Sequence, residues 1–372
     1  MNYSFWEKYF IESPAQVTII GAGIVGLSTA ISIAERNMDL TIKVLDRGHL
    51  SYGASTKNAG FSCFGSVSEI LDDMQANGEE MCMDIVKMRW QGLSKLKERV
   101  HPEIMEYQAC GGIEFFKKTD VETIEVCTQA IPHLNELMEG YLSIKNCYQS
   151  KPNTTLSAFD STTIFNPYEG TINPVKMMQE LYKKAISLGI TIIFGIEIND
   201  IRMDDHLLIT KDNLHINYQK LILCTNGFTQ RIMPELAVFP ARNQVLMTLP
   251  LANNPLAAAC HYDKGYIYFR QYKNRILIGG GRNLDLDGEM TDNFGLTDKI
   301  QHYLLDILDS IYPGASTQID HWWSGIMGVG PSKYPIIKWL DDSVLAGVRL
   351  GGMGVAIGSY LGEQLAEEVT NL

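Results

Sequence analysis

Read for its apolar and polar positions, the chain opens its ordered pattern at Gln16–Ile20, a short run of β-branched and apolar residues. A glycine turn, Gly21 to Gly26, follows directly. From Leu27 to Arg36 apolar residues and small ones such as Ser28, Ala30 and Ala34 recur at helical spacing, and a second β-rich run, Leu40 to Leu45, ends at Asp46. Strand, turn, helix and strand in this order predict one βαβ unit. Val67 to Val100 carries Ile70, Met74, Met81, Ile85, Met88 and Leu93 mostly at helical spacing and predicts one long helix. Short strands and a helix mix between about Glu103 and Phe165. Asn173-Pro174 then opens another helix, with Asn173 as N-cap, Pro174 at the first position and Gly189 as the stop.

After Ile190 the pattern breaks into β-rich runs divided by turn residues, at Thr191–Phe194, Ile198–Met203, His206–Thr210, Leu214–Ile216 and Leu221–Cys224. From Ala237 to about Ile326 the strands alternate, as in Val245–Leu249, Gly265–Arg270 and Arg275–Ile278. The end returns to strand (Val344–Gly347), glycine turn (Gly351–Gly354) and helix (Ala356–Val369). The expectation is an α/β (α+β) protein. A Rossmann-like dinucleotide domain is split over 1–100, 155–236 and 325–372, with a mainly antiparallel domain inserted as 101–154 and 237–324. No internal repeat or low-complexity linker interrupts it.

Composition narrows the partners. A formal net charge of −12 over 372 residues argues against a nucleic-acid partner, which needs a basic face. No apolar run reaches the roughly 20 residues of a membrane span. Residues 1–13 lack the basic-then-apolar layout of a signal peptide, so a cytoplasmic location is expected. The seven cysteines are scattered without a C-x-x-C pair, and the eight histidines form no H-x-H or H-x-x-x-H cluster. Reduced thiols and no metal site are expected.

Gly21, Gly23 and Gly26 spell G-x-G-x-x-G between a strand and a helix. The first glycine permits the tight turn, the second lets backbone N–H groups approach a pyrophosphate, and the third lets helix and strand pack closely. The helix N-terminus adds partial positive charge. Asp46 follows Gly26 by twenty residues, at the end of the second strand, where a carboxylate can accept from a ribose diol. These features specify a dinucleotide and leave nicotinamide and flavin both open.

Four further segments bear on that choice. Gly53-Ala-Ser-Thr-Lys-Asn-Ala-Gly60 resembles the G-A-S-x-R-N-A-G segment of flavoproteins of the D-amino-acid oxidase, glycine oxidase and D-amino-acid dehydrogenase-like family, with Lys57 in place of the arginine. Leu221-Ile-Leu-Cys-Thr-Asn-Gly227 resembles the family's strand followed by A-T-N-A/G. Trp322-Trp-Ser-Gly-Ile-Met-Gly328 with Pro335-Ile-Ile337 resembles W-x-G-x-M-G … L-P-I-I-G, and Gly351-Gly-Met-Gly-Val355 resembles G-G-H-G-V. The resemblance runs in order from about residue 16 to 368.

The resemblance implies FAD, bound without a covalent link because no cysteine lies in the Gly325–Pro335 region. It implies cofactor contacts from Gly21, Gly23, Ile24, Val25 and Gly26, and from Asp46 and Arg47. Ala54, Ser55, Asn58, Ala59 and Gly60 are expected to contribute from the loop, although Ser55 and Asn58 taken by themselves read as turn chemistry. The same set takes in Ile198, Thr225, Asn226 and Gly227, and then Gly351, Gly352, Met353, Gly354 and Val355 before the closing helix. No second G-x-G-x-x-G serves NAD(P)H, so the substrate itself is expected to be the electron donor.

For the substrate, strand alternation puts Tyr266, Tyr268 and Arg270 on one face. In glycine oxidase-like relatives the tyrosine matching Tyr266 contacts the substrate carboxylate; an exposed polar sheet face is the alternative for Tyr268 and Arg270. Those relatives carry arginines where this chain has Met327 and Gly352, and the pattern here looks more like the γ-glutamylputrescine-oxidase branch or the wider D-amino-acid dehydrogenase-like group. Arg242 has both a packing and a flavin-side reading. His261, Trp322 and Trp323 are expected as core or pocket wall, and no side chain stands out as a base. The resemblance implies an enzyme oxidising the C–N bond of an amino acid or secondary amine to an imine, by hydride transfer to flavin N5. The alternatives are an oxidase of a polyamine derivative, a nicotinamide-dependent dehydrogenase, and a flavin-binding protein without turnover.

Overall fold

The computed structural model describes residues 2–371. Ala15–Ile20 pairs in parallel with Ile42–Asp46 on one side and His215–Leu223 on the other. The sheet grows outward through Thr191–Phe194 at one edge and Val344–Val348 at the other, all parallel, and Ile336–Trp339 closes it antiparallel. Strands buried on both faces read as continuous apolar runs, and alternation sorts them. Val17, Ile19, Val44, Ile222 and Leu345 pack with the helices of one side, while Ile20, Leu45, Leu221, Leu223 and Val344 join the core of the other.

On the first side Ile24–Arg36, Gly354–Thr370 and Glu79–Arg99 lie against one another. Small residues set the spacing. A Cβ on Gly92 would stand 1.9 Å from the Ala356 carbonyl, and one on Gly362 2.5 Å from Ser28 Cβ. Arg99, only 1% exposed, pairs there with Glu363 and the Ser32 hydroxyl.

A second sheet of eight strands is antiparallel apart from one pair, Ala259–Tyr262 with Gly112–Lys117. One face, with Leu246, Ile267, Phe269 and Ile278, is covered by the helix Asp298–Ile311 through Ile300, Leu304 and Leu308. The other face turns toward the first sheet. Phe159–Asn166 belongs to this second sheet by its pairing with Gly112–Lys117, although the sequence placed it with the nucleotide-binding segments. Ile319–Val329 likewise crosses the expected boundary at 325, because it runs the length of Phe239–Thr248 as its partner.

Two predicted elements change. The long helix over 67–100 is two, Val67–Asn77 and Glu79–Arg99, broken at Gly78 (φ 85, ψ 160), a conformation reserved in practice for glycine. The two runs at 214–216 and 221–224 are one strand, His215–Leu223, because Asn217 to Lys220 continue the ladder despite their polarity. Asn173 caps Pro174–Ser187 as expected, its side chain accepting from the Val175 and Lys176 N–H groups. Among the described residues no helix is long and apolar enough to cross a membrane.

Candidate active site

A cavity of about 520 Å³ runs from the C-terminal ends of the parallel strands to the inner face of the second sheet. The glycine turn forms its floor. Gly21, Gly23, Ile24 and Val25 line it, whereas Gly26 stands behind, where a Cβ would be 1.8 Å from the Gly21 carbonyl oxygen. Gly26 therefore serves close helix–strand approach, and the expectation of direct contact is corrected. The helix Ile24–Arg36 has no side-chain cap of its own at Gly23; Ser55 Oγ reaches across to accept from Ile24 N at 3.0 Å.

Asp46 is 7% exposed, with Oδ2 accepting from Ala22 N (2.9 Å) and Oδ1 from Gly48 N (2.9 Å). Burial raises its pKa, and the hydrogen bonds from Gly48, Ala22 and Tyr52 backbone work against that rise. Arg47 lies beside it, with its guanidinium 4.3 Å from the Tyr52 ring centre and 3.8 Å from that of Phe228; its Nη2 is buried without a hydrogen-bond partner. Ile196, Glu197 and Ile198 complete this end of the wall. Sequence reasoning missed the aromatic cluster in which Tyr52 and Phe228 line the wall and Phe294 packs edge-on to Tyr52, because its members are 242 positions apart at the extremes and carry no motif.

In the loop after the second strand, Ala54, Ser55, Asn58 and Ala59 face the cavity. Asn58 also holds the loop together, donating to the Ala54 and Ser55 carbonyls (3.2 and 2.8 Å) and accepting from Gly60 N (2.9 Å). Gly60 does not reach the wall; a Cβ there would meet the Ile172 carbonyl at 2.3 Å. Lys57 lines the wall with no carboxylate partner among the described residues, its Nζ 5.2 Å from the Phe294 ring, and burial lowers its pKa.

Opposite the turn, Thr225, Asn226 and Gly227 lie against Gly351–Val355, and all eight line the cavity. Asn226 Oδ1 accepts from the Arg349 and Leu350 N–H groups at 3.1 and 3.2 Å, fixing the turn before the closing helix. That helix has no side-chain cap at Met353, so its first N–H groups are free to meet a ligand. Met327 and Gly352 meet across the wall, since a Cβ on Gly352 would be 3.7 Å from Met327 Sδ. Both positions thus face one spot on the wall, and neither side chain there carries charge.

The far end is polar. Tyr266 precedes the strand Ile267–Tyr272 and is 37% exposed; Tyr268 lies within it and packs its ring 5.5 Å from Phe61. Arg270 shares the Tyr268 face but does not line the cavity. It is buried, donating to the Ile172 carbonyl (3.0 Å) under Gly60. Burial lowers its pKa to about 10. Its expected contact with substrate is therefore corrected to a brace beneath the flavoprotein-like loop. Arg242 resolves the same way, in a bidentate pair with Glu289 at 2.8 and 2.9 Å.

Glu69, Asp72 and their partners, not expected from the sequence, fill this end beside His261, which was expected as core or pocket wall. Glu69 pairs with Arg89 (3.0 Å) and Lys333 (3.9 Å), and Asp72 pairs with Lys264 (2.5 Å). His261 faces the cavity with Glu169 behind it at 3.0 Å. Cys63, Glu169 and His261 have ligand atoms within 4.8 Å of one another, the kind of grouping the sequence spacing gave no sign of.

The donor set fits a dinucleotide. Two helix N-termini, Arg47 with an unsatisfied buried nitrogen and an unpaired Lys57 converge on the wall of a protein of net charge −12. Fold and site together define a flavoprotein-type nucleotide-binding oxidoreductase. The family description FAD dependent oxidoreductase matches residues 16–368, and the chain belongs to that family, with FAD as its cofactor. It is 24% identical over 393 residues to the "Probable oxidoreductase OrdL" of Rhizobium meliloti, covering 98% of this chain and 88% of that protein. In fold it is similar to glycine oxidase from Geobacillus kaustophilus (TM-score 0.75, 16% identity, 96% and 95% of the two chains). It is equally similar to L-proline dehydrogenase from P. horikoshii (TM-score 0.75, 16% identity, 96% and 94%).

Proposed function

We propose that this enzyme oxidises the C–N bond of an amino acid or amine to an imine, which water then hydrolyses. The observation that supports this most is the continuity of one cavity, from the glycine turn past Gly351–Val355 to the polar end at Tyr266, Tyr268 and His261. When bound, FAD supplies the acceptor for the hydride that leaves the substrate carbon at flavin N5. Gly21, Gly23 and the N–H groups after Gly23 would hold the pyrophosphate, Asp46 the ribose, and Ile198 backbone the adenine end. The N–H groups after Met353 would face the flavin where negative charge develops on reduction. Phe61, Tyr268 and Val245 form the wall that orients the substrate and keeps water from it.

Dissociable FAD is part of the reading. The lining thiols are poor nucleophiles, since burial pushes Cys224 up to about 12 and Cys63 well above its ordinary value. The uncharged Met327–Gly352 contact supports a second reading, in which the substrate is a polyamine derivative with no carboxylate to anchor at that spot. The test is anaerobic bleaching of the holoenzyme by D-amino acids, N-methyl amino acids and polyamine derivatives. Fast bleaching by one class assigns it, and flavin left oxidised by every member sinks the reading in favour of a binder without turnover.

A further inference from the structure

The polar end of the cavity is built on one cross-strand row. Glu114, His261, Tyr268, Gly279 and Val245 stand opposite one another on consecutive strands of the second sheet, so their side chains share its inner face. Gly279 makes room within that row, since a Cβ there would be 2.8 Å from the Tyr268 hydroxyl. His261 is the member that both lines the cavity and carries a titratable nitrogen.

Its surroundings fix which nitrogen that is. Glu169 is 1% exposed, and its Oε1 accepts from Phe64 N (3.0 Å) and Gly65 N (3.3 Å). Glu169 thus accepts from two backbone donors through one oxygen and turns the other to the imidazole. Its Oε2 lies 3.0 Å from His261 Nε2, so the hydrogen-bond network assigns the proton to Nε2. Nδ1 has no hydrogen-bond partner among the described residues and is left with a lone pair.

An amine dissolved near neutral pH is an ammonium ion, with a pKa of about 10 for an alkylamine such as lysine. Its nitrogen has no lone pair to build a C=N bond while hydride leaves the neighbouring carbon, so a proton must go first. We propose that His261, positioned by Glu169, takes that proton from the substrate ammonium. The inference rests on the amine-oxidation reading above. In this step the N–H bond of R–NH3⁺ breaks and an Nδ1–H bond forms. The pair of electrons stays on the substrate nitrogen, imidazole becomes imidazolium, and Glu169 balances the new charge. Nothing is oxidised or reduced.

The groups facing His261 favour this. Glu169 comes from the loop before Gly170–Thr171, Glu114 from Gly112–Lys117, Glu69 from Val67–Asn77, Cys63 from the segment after Phe61–Ser62, and Tyr268 from the adjacent strand. Arg89, Lys333 and Lys264 line the same cavity, paired with Glu69, with Glu69 and Asp73, and with Asp72 respectively. Burial acts against the imidazolium, but Glu169, Glu69 and Glu114 outweigh it and the pKa is raised. A stronger base is a better match to an ammonium donor, and its Nδ1 lone pair is available at pH above that raised value.

The test uses the holoenzyme and the amine that bleaches it fastest, with anaerobic flavin reduction followed in a stopped-flow instrument from about pH 6 to 10. In His261→Asn the limiting reduction rate near neutrality is expected to fall by about 10²- to 10⁴-fold. It should recover as pH approaches the pKa of the substrate ammonium. Unchanged rates overturn the proposal. So does a change confined to the apparent affinity of carboxylate-bearing amines, which would make His261 a carboxylate anchor. A second readout needs neither turnover nor a variant. In the substrate-free holoenzyme at alkaline pH the ¹⁵N resonances of His261 should show Nε2 protonated and Nδ1 unprotonated, and the opposite tautomer overturns the assignment. If no amine bleaches wild type, the reading of function fails with it; if wild type is bleached and His261→Asn behaves alike, only the base assignment fails.

Discussion

Gly23 stands where the second glycine of the turn must leave room for a phosphate, and the only atoms near a Cβ built there belong to Ser55, with Oγ at 2.9 Å. A movable hydroxyl can yield, so Gly23→Val should fold while filling the space meant for the ligand. FAD affinity is expected to drop about tenfold or more, equivalent to ~1.4 kcal/mol. The check is the flavin-to-protein absorbance ratio after dialysis, with an unchanged circular dichroism spectrum. Arg270 calls for the opposite outcome. Because it braces Ile172 and does not touch the cavity, Arg270→Met should lower unfolding free energy by about 1–3 kcal/mol. Its KM for the best amine should stay within twofold or so of wild type, a ~0.4 kcal/mol effect; a large KM change with unaltered stability would return Arg270 to the substrate. The glycine turn and Asp46 were legible because each has one local job at a fixed spacing. Arg270 was misread because alternation tells which face a side chain leaves from, and not how far along that face the cavity extends.

Among the elements, the break at Gly78 is a backbone matter alone, since nothing lies within 4 Å of a Cβ placed there. Gly78→Ala therefore tests conformation without a clash, and equilibrium urea unfolding should show a loss of about 1–3 kcal/mol. No loss would mean the two helices can merge or reorient freely. Periodicity could not reveal the break, because the apolar stripe of Val67–Asn77 resumes in Glu79–Arg99 as though nothing intervened. The substrate end was hidden for a related reason. His261, Glu169, Glu69 and Arg89 come from a strand, a loop and two helices, and only tertiary packing brings them together. His261 itself was legible as core or pocket wall from its strand, Ala259–Tyr262; what the sequence did not show is the Glu169 carboxylate behind it.

For the whole molecule, several carboxylates hold the layers together and set the acid limit. Burial works against charge on Glu363, yet Ser32 and the cations Arg99, Lys95 and Arg36 outweigh it and its pKa is lowered. Hydrogen bonds from Lys176 and Asn173 hold Glu106 down to about 2. A carboxylate whose folded pKa is depressed gives its full stabilisation above its unfolded pKa, near 4.3, and loses it as pH falls through the folded value. Stability by urea titration should thus decline from about pH 4.5 downward toward 2, and Glu106→Gln should flatten part of that slope. Glu363→Gln should cost about 3–5 kcal/mol near neutrality, since it leaves buried Arg99 without its anion. A cost below ~1 kcal/mol would place Arg99 in reach of water.

The wall of the cofactor cavity is drawn from residues 20–65, 196–232 and 325–357, and the closing helix both supplies N–H groups and packs on Ile24–Arg36. During synthesis the glycine turn leaves the ribosome some three hundred residues before Gly351–Val355 does. The early βαβ unit therefore has to wait, with its phosphate cradle half built, until residues past 357 are free to fold back. Loading of FAD is then an event that follows translation of this region. Ribosome-stalled chains ending near residue 340 should retain no flavin, while chains stalled with residues through 371 outside the exit tunnel should retain it. Flavin on the shorter nascent chain would show that the first two segments suffice.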